Sequence, residues 1–246
     1  MQKNNILVGV VVYNEDEKLP ILLKKIHKVM QTKKFYFLFV NDNSTDKSAQ
    51  ILKKFIESHV SCSLINHKKN SGVGKSIKNI ITFGLKNNFL ICVIMAGNGK
   101  DDPLEISKII TPITSKNYDY VQGSRFLHGG SFDNLPILRK LMIKGFTFIF
   151  YFFTGYAQTD TSNGFRAYKL DIFKDKEINI NQNWLNRYEL ETYLHYKVIT
   201  LSYKICEIPV SKNYLHGIKK YSKIKPVIDW WRILSPLIYL KLKLKN

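Results

Sequence analysis

One alternation constrains this 246-residue chain more than any other feature. Short β-branched or aromatic runs, "ILVGVVVY" at 6–13, "FYFLFV" at 35–40, "CSLINH" at 62–67 and "FLICVIM" at 89–95, are separated by segments with apolar residues at helical spacing. Ile21, Leu22, Ile26 and Val29 are one such set. A strand apolar at consecutive positions must be covered on both faces. Strand–helix–strand repeats of this kind build right-handed βαβ units. The expected fold is therefore α/β, a three-layer arrangement with a mostly parallel sheet flanked by helices.

Each run ends in a polar cluster: Asn14 and Glu15, residues 41–46, residues 97–102, and residues 123–125 after a fifth strand, "DYVQGSRF". In a parallel sheet, ligands bind beyond the carboxyl ends of the strands. A single cluster reads as a solvated turn, whereas four on one edge read as a site. Beyond Arg125 come a glycine-bearing loop, "LHGGSFDNLP", and an apolar helix, "ILRKLMIKGFTFIFYFFTGY", interrupted by Lys144 and Gly145. A turn and strand in "DTSNGFRAYKLDIF" and a helix in "RYELETYLHYKV" follow. The strand in "YKICEIPVSKNY" is expected at a sheet edge, because Pro209 cannot donate to a ladder.

Charge narrows the partners. Lys and Arg number 38 against 19 Asp and Glu, a formal charge of +19. A field of that sign favours phosphates, nucleic acid or an anionic membrane face. The few arginines (Arg125, Arg139, Arg166, Arg187 and Arg232) are better candidates for specific phosphate contacts than the many lysines. A nucleic-acid surface would set a basic stripe interleaved with aromatics on one face. Here the polar residues are spent at strand ends, which suits a small-ligand pocket, so no nucleic-acid partner is expected. Cys62, Cys92 and Cys206 are far apart and odd in number, and read as reduced core residues. The apolar run before the first acidic turn is too short for a signal peptide, and no stretch reaches the ~18 apolar residues of a membrane span. The expected location is cytoplasmic.

"SGVGKS" at 71–76 suggests a phosphate-binding P-loop. That pattern needs a glycine at position 69, where Lys69 stands, and belongs after the first strand, not the third.

The motifs "VVVYNEDEKLP", "FVNDNSTDKS", "NSGVGKS", "MAGNGKDDP", "VQGSRF", "DTSNGFRAYK" and "YELETYL…YKICEIPV" together resemble the inverting family 2 glycosyltransferases with the nucleotide-diphospho-sugar (GT-A type) fold. The branch they resemble most is the dolichyl-phosphate mannose synthase and prenyl-phosphate glycosyltransferase group. The resemblance covers almost the whole chain. It implies a catalytic domain over residues 1–221 and a basic, aromatic tail over 222–246. The donor would be a nucleotide-diphospho-sugar carrying UDP or GDP. The acceptor would be a polyprenyl phosphate or a growing glycan, in cell-envelope glycan synthesis.

Position by position, the resemblance puts Tyr13, Asn14 and Glu15 beside the base and ribose. Asp42 would accept a hydrogen bond from the base; the alternative for residues 41–46 is an Asx turn capping the next helix. Gly72 and Gly74 would let backbone approach the nucleotide. The family's "D-x-D" metal positions fall on Ala96 and Asn98, with Lys100 nearby. Hard cations want carboxylate oxygens. Two readings therefore stay open: Asn98 with Asp101 or Asp102 holds a weakened Mg or Mn site, or Lys100 replaces a dispensable ion. Asp102 also suits an N-cap ahead of Pro103. Arg125 and Arg139 would grip an acceptor phosphate, although Ile143 stands where lipid-phosphate members carry a serine. Asp160 would close the acceptor pocket and serve as base toward a hydroxyl, with Glu189 and Glu191 at the start of the following helix. Lys220, Ser222 and Lys223 resemble a phosphate-gripping loop. Trp230 and Trp231 with Lys241, Lys243 and Lys245 suggest a helix lying on an anionic membrane, and residues 141–156 could join it or be core.

Overall fold

In the computed structural model, which describes residues 5–214, 223 and 227–245, the apolar runs form the strands of one sheet. Its strands are β1 (Ile6–Val12), β2 (Tyr36–Asn41), β3 (Cys62–Asn66), β4 (Ile91–Ala96), β5 (Tyr120–Ser124), β7 (Arg166–Lys169) and β8 (Ile205–Pro209). Their order is β3-β2-β1-β4-β7-β5-β8, so β8, with Pro209, is an edge strand as expected. All neighbours pair in parallel except β7, which is antiparallel to both β4 and β5. A small ribbon pairs β6 (Ser131–Phe132) with β9 (Ser211–Lys212).

The pleat divides the core. Val8, Val10 and Val12 face α1 (Leu19–Thr32), α2 (Ser48–Glu57) and α4 (Ile106–Lys116), with Leu22, Ile26, Leu52 and Ile109 in that cluster. Leu7, Leu38 and Ile94 face the other way, toward α3 (Val73–Lys86), α5 (Ile137–Thr154) and α6 (Glu189–Thr200), through Ile77, Phe146 and Leu190. Two apolar clusters, one on each face, give the three layers.

The apolar helix α5 runs through Lys144 and Gly145 without a break, ended by Gly155 in the left-handed region. It buries Ile143, Phe146 and Phe150 but leaves Leu138, Leu141, Phe148 and Phe152 exposed. The 221/222 boundary lies outside the described residues. The tail's helix α7 (Ile228–Lys241) puts Leu237 and Leu240 into the core, and Arg232 Nε lies 3.5 Å from Glu189 at the start of α6.

Candidate active site

The sheet changes direction between β1 and β4: β2 and β3 lie to one side, and β7, β5 and β8 to the other. Ligand crevices form at such a switch point. The turn after β1 carries Tyr13, Asn14 and Glu15, and the turn after β4 carries Asn98 and Lys100. The two meet where Gly97 N–H donates to Val11 O over 2.8 Å.

On the β1–β2 side, the turns are stitched into one piece. Asn14 N–H donates to Ser44 Oγ (2.9 Å), Thr45 N–H to Asn14 Oδ1 (2.8 Å) and Glu15 N–H to Ser48 Oγ (2.8 Å). The Asx cap is present as well: Ser48 N–H donates to Asp46 Oδ1 at the start of α2. Lys223 reaches across from the tail, donating to the carbonyls of Tyr13 and Asn14 and pairing with Glu15 at 3.0 Å. Lys220 and Ser222 lie outside the described residues.

Asp42, Gly72 and Gly74 meet at the mouth of the next turn. Asp42 is buried, and its carboxylate is engaged within the fold, by His67 Nδ1 (2.7 Å), Ser71 N–H (2.7 Å) and Gly72 N–H (2.8 Å). Burial works to raise its pKa. The His67 contact and the two amides outweigh that and hold it below the usual carboxylate value. Asp42 thus ties the β2 exit to the turn that opens α3. At Gly72 and Gly74 the backbone of the 185–187 segment comes close. A Cβ on Gly74 would stand 2.3 Å from Leu185 O, and one on Gly72, where φ is +98°, 2.5 Å from Asn186 O.

Beyond β4 and β5 lies a pocket of about 440 Å³. Its polar end holds Lys100, Arg125, Arg139, Arg166 and Lys212. Its apolar wall is Leu138, Met142, Ile143 and Phe146 of α5 with Trp230 and Ile233 of α7. Of the expected residues it gathers Asn98, Lys100, Arg125, Arg139 and Glu191. Arg166, one of the five arginines expected to suit phosphate, also lines it, as do Lys212, Tyr188 and Tyr214, which had not been singled out.

Arg125, expected as an acceptor clamp, and Asp160, expected as a base, bind each other. Arg125 Nε and Nη2 donate to the two oxygens of Asp160 over 2.6 and 2.7 Å, and the carboxylate is 0% exposed. Burial alone would lower the arginine's pKa, but Asp160 outweighs it and keeps the guanidinium charged. Arg125 keeps Nη1, which donates to Tyr214 Oη over 3.2 Å. Glu207 anchors the same turn by accepting from the amides of Thr159 and Asp160. The pair positions the pocket floor.

The metal positions are corrected too. Asp101 is buried and accepts from Ala96 N–H (3.1 Å) and from Lys212 Nζ. Asp102 accepts from Leu104 N–H (3.1 Å), as the N-cap of the Pro103–Glu105 turn, and from Lys25 Nζ of α1 (2.9 Å). Asn98 Oδ1 accepts from Lys100 N–H (3.2 Å). Among the described residues no three His, Cys, Asp or Glu side chains gather where they could hold an ion. These residues do not suit a divalent cation. Lys100, 4% exposed, instead lies in the pocket wall with its ammonium 4.8 Å from the Tyr214 ring centre. Arg139 lies 5.7 Å from the same ring. Burial first, then the charges of Arg139 and Lys212, push the Lys100 pKa down to about 7.

A three-layer α/β sheet with a mostly parallel order and a cation-lined pocket at its strand ends has the GT-A architecture. The sequence model of Glycosyl transferase family 2 matches residues 7–176, and the chain belongs to that family. It is a glycosyltransferase. An uncharacterized protein of Methanocaldococcus jannaschii is 26% identical over 242 residues, covering 98% of this chain and 94% of that one. The polyprenol monophosphomannose synthase of Mycolicibacterium smegmatis is 23% identical over 206 residues, 83% and 76% of the two chains. Among solved structures, glucosyl-3-phosphoglycerate synthase from Mycobacterium tuberculosis in complex with Mn2+, uridine diphosphate and glucosyl-3-phosphoglycerate shares the fold. Its TM-score is 0.66 at 9% identity, over 99% of this chain and 81% of that one.

Proposed function

We propose that this glycosyltransferase moves a sugar from a UDP- or GDP-linked donor to a polyprenyl phosphate, by a single inverting displacement at the anomeric carbon. The observation that carries the reading is the two-ended pocket: cations at the strand ends, an apolar wall from α5 and α7. A phosphate head with an isoprenoid tail matches both ends at once. The relative from M. smegmatis, a polyprenol monophosphomannose synthase by name, supports the same acceptor class.

A phosphate acceptor is already ionised and needs no base, which agrees with Asp160 being locked to Arg125. Arg139 and Lys212 are placed to orient the acceptor phosphate, and positive charge at Lys100 to stabilise the departing diphosphate. A divalent cation is bound weakly or not needed. A glycan hydroxyl is the second reading, favoured by one observation: Glu191 is the carboxylate in the pocket wall and could take a proton.

The exposed apolar residues of α5 lie beside this pocket and suit a membrane-facing surface. Together with the charge of +19 they support peripheral binding to the anionic, cytoplasmic face of a membrane. No helix of the described residues is long and apolar enough to cross one. A thermal-shift panel of UDP-, GDP- and dTDP-sugars tests the donor half. At ~100-fold saturation the right donor adds about 2.7 kcal/mol, a visible shift. A panel in which no nucleotide sugar shifts the transition contradicts the reading.

A further inference from the structure

The strand end after β4 is built as a cation in its own right. On the reading that the substrate is a nucleotide-diphospho-sugar, we infer that Lys100 supplies the positive charge for the donor's diphosphate in place of a divalent ion, so that the nucleotide binds without metal.

The placement of every carboxylate near this turn leads there. Asp101 points back under the strand end, taking Ala96 N–H with one oxygen and Lys212 Nζ with the other. Turning it into the pocket would leave a buried ammonium without that partner. Asp102 points to the opposite side, toward Lys25 and the start of the following turn. Ala96 has no oxygen in its side chain, and the Asn98 oxygen accepts from the turn's own amide. The basic side chain that this turn contributes to the pocket lining is Lys100.

Its position is fixed from several sides. Lys100 O accepts from Asn213 N–H over 3.0 Å, and Asp101 bridges to Lys212, so the turn is clamped to the segment after β8. The Tyr214 ring lies beside both the Lys100 ammonium and the Arg139 guanidinium. A fixed ammonium in a shielded wall can stabilise a developing phosphate charge without any rearrangement. Lys212 pairs with Asp101 and Arg125 with Asp160 in the same lining, which fixes the wall around Lys100.

The test is calorimetric binding of UDP and of GDP to the full chain, in EDTA and again with excess Mn2+ or Mg2+. The expected result is that the nucleoside diphosphate that binds does so in EDTA, with a Kd within about threefold of its value with metal. Lys100→Gln should weaken that diphosphate by about tenfold or more and change the corresponding nucleoside monophosphate little, whereas Lys100→Arg should retain most of the affinity. Diphosphate binding that requires Mn2+ in the wild type overturns the inference and leaves the glycosyltransferase reading standing. Equal losses in the Gln and Arg variants overturn the charge argument. Failure of both nucleotides and their sugars to bind under either condition removes the proposed donor, and this inference with it. The wild-type comparison decides even if a substitution at this buried position does not fold.

Discussion

At the scale of single residues, the strand ends were legible as a site, but their partners were not. Arg125 and Asp160 were both singled out from their motifs, yet nothing local shows that they bind each other across 35 positions. Because the pair is buried, Asp160→Asn should strand a charged guanidinium and cost about 3–5 kcal/mol of stability, read by denaturant unfolding. A variant as stable as the wild type but devoid of turnover would instead restore Asp160 as a base. His195 gives a pH prediction. It is wholly buried between the rings of Tyr120 and Phe150, and burial, then Arg166, holds its pKa well below the ordinary 6.5. The unfolded chain therefore binds a proton below pH 6.5 that the folded chain refuses, so stability falls as pH falls, by up to ~1.4 kcal/mol per pH unit. His195→Leu should flatten that fall between about pH 6.5 and 5. An unchanged slope would place the acid sensitivity elsewhere.

At the scale of elements, the strands and helices were readable because buried parallel strands write continuous apolar runs. Strand direction was not. β7 runs antiparallel, which brings its first residue, Arg166, to the same edge as the carboxyl ends of its neighbours. A pattern of apolar residues carries no sign of direction, so Arg166, a candidate for phosphate contact by residue type alone, was given no place at this edge. Lys212 and Tyr214 had a usable signal, as polar positions just past β8, like those past β1, β2, β4 and β5. The tail misled for a different reason: a helix that is apolar on one side and basic on the other reads the same whether its apolar side meets lipid or α6. Leu237 is buried, so deleting the tail would unfold part of the core and could not test membrane binding. Surface changes on α5 can. Phe148 is 71% and Phe152 79% exposed. Phe148→Ser with Phe152→Ser should leave stability within about 0.5 kcal/mol of wild type. The same change should weaken sedimentation with anionic vesicles severalfold. Undiminished vesicle binding would move the membrane contact to another surface.

For the whole molecule, the account joins a switch-point site, where Asp101, Asp102 and Asp160 are paired with Lys212, Lys25 and Arg125, to a pocket lined by both cations and apolar side chains. Fold class and enzyme class followed from the order of motifs along the chain. The acceptor did not, because the pocket's apolar wall comes from α5 and α7, which lie far apart in sequence and meet only in the folded chain. The most direct test is to supply labelled UDP- and GDP-sugars with a polyprenyl phosphate in detergent and measure sugar in the organic phase together with the released nucleoside diphosphate. The account predicts equimolar glycosyl phospholipid and nucleoside diphosphate, with the anomeric configuration inverted and with turnover persisting in EDTA. Label that stays in the aqueous phase with every donor, while a saccharide acceptor is extended in its place, would contradict it.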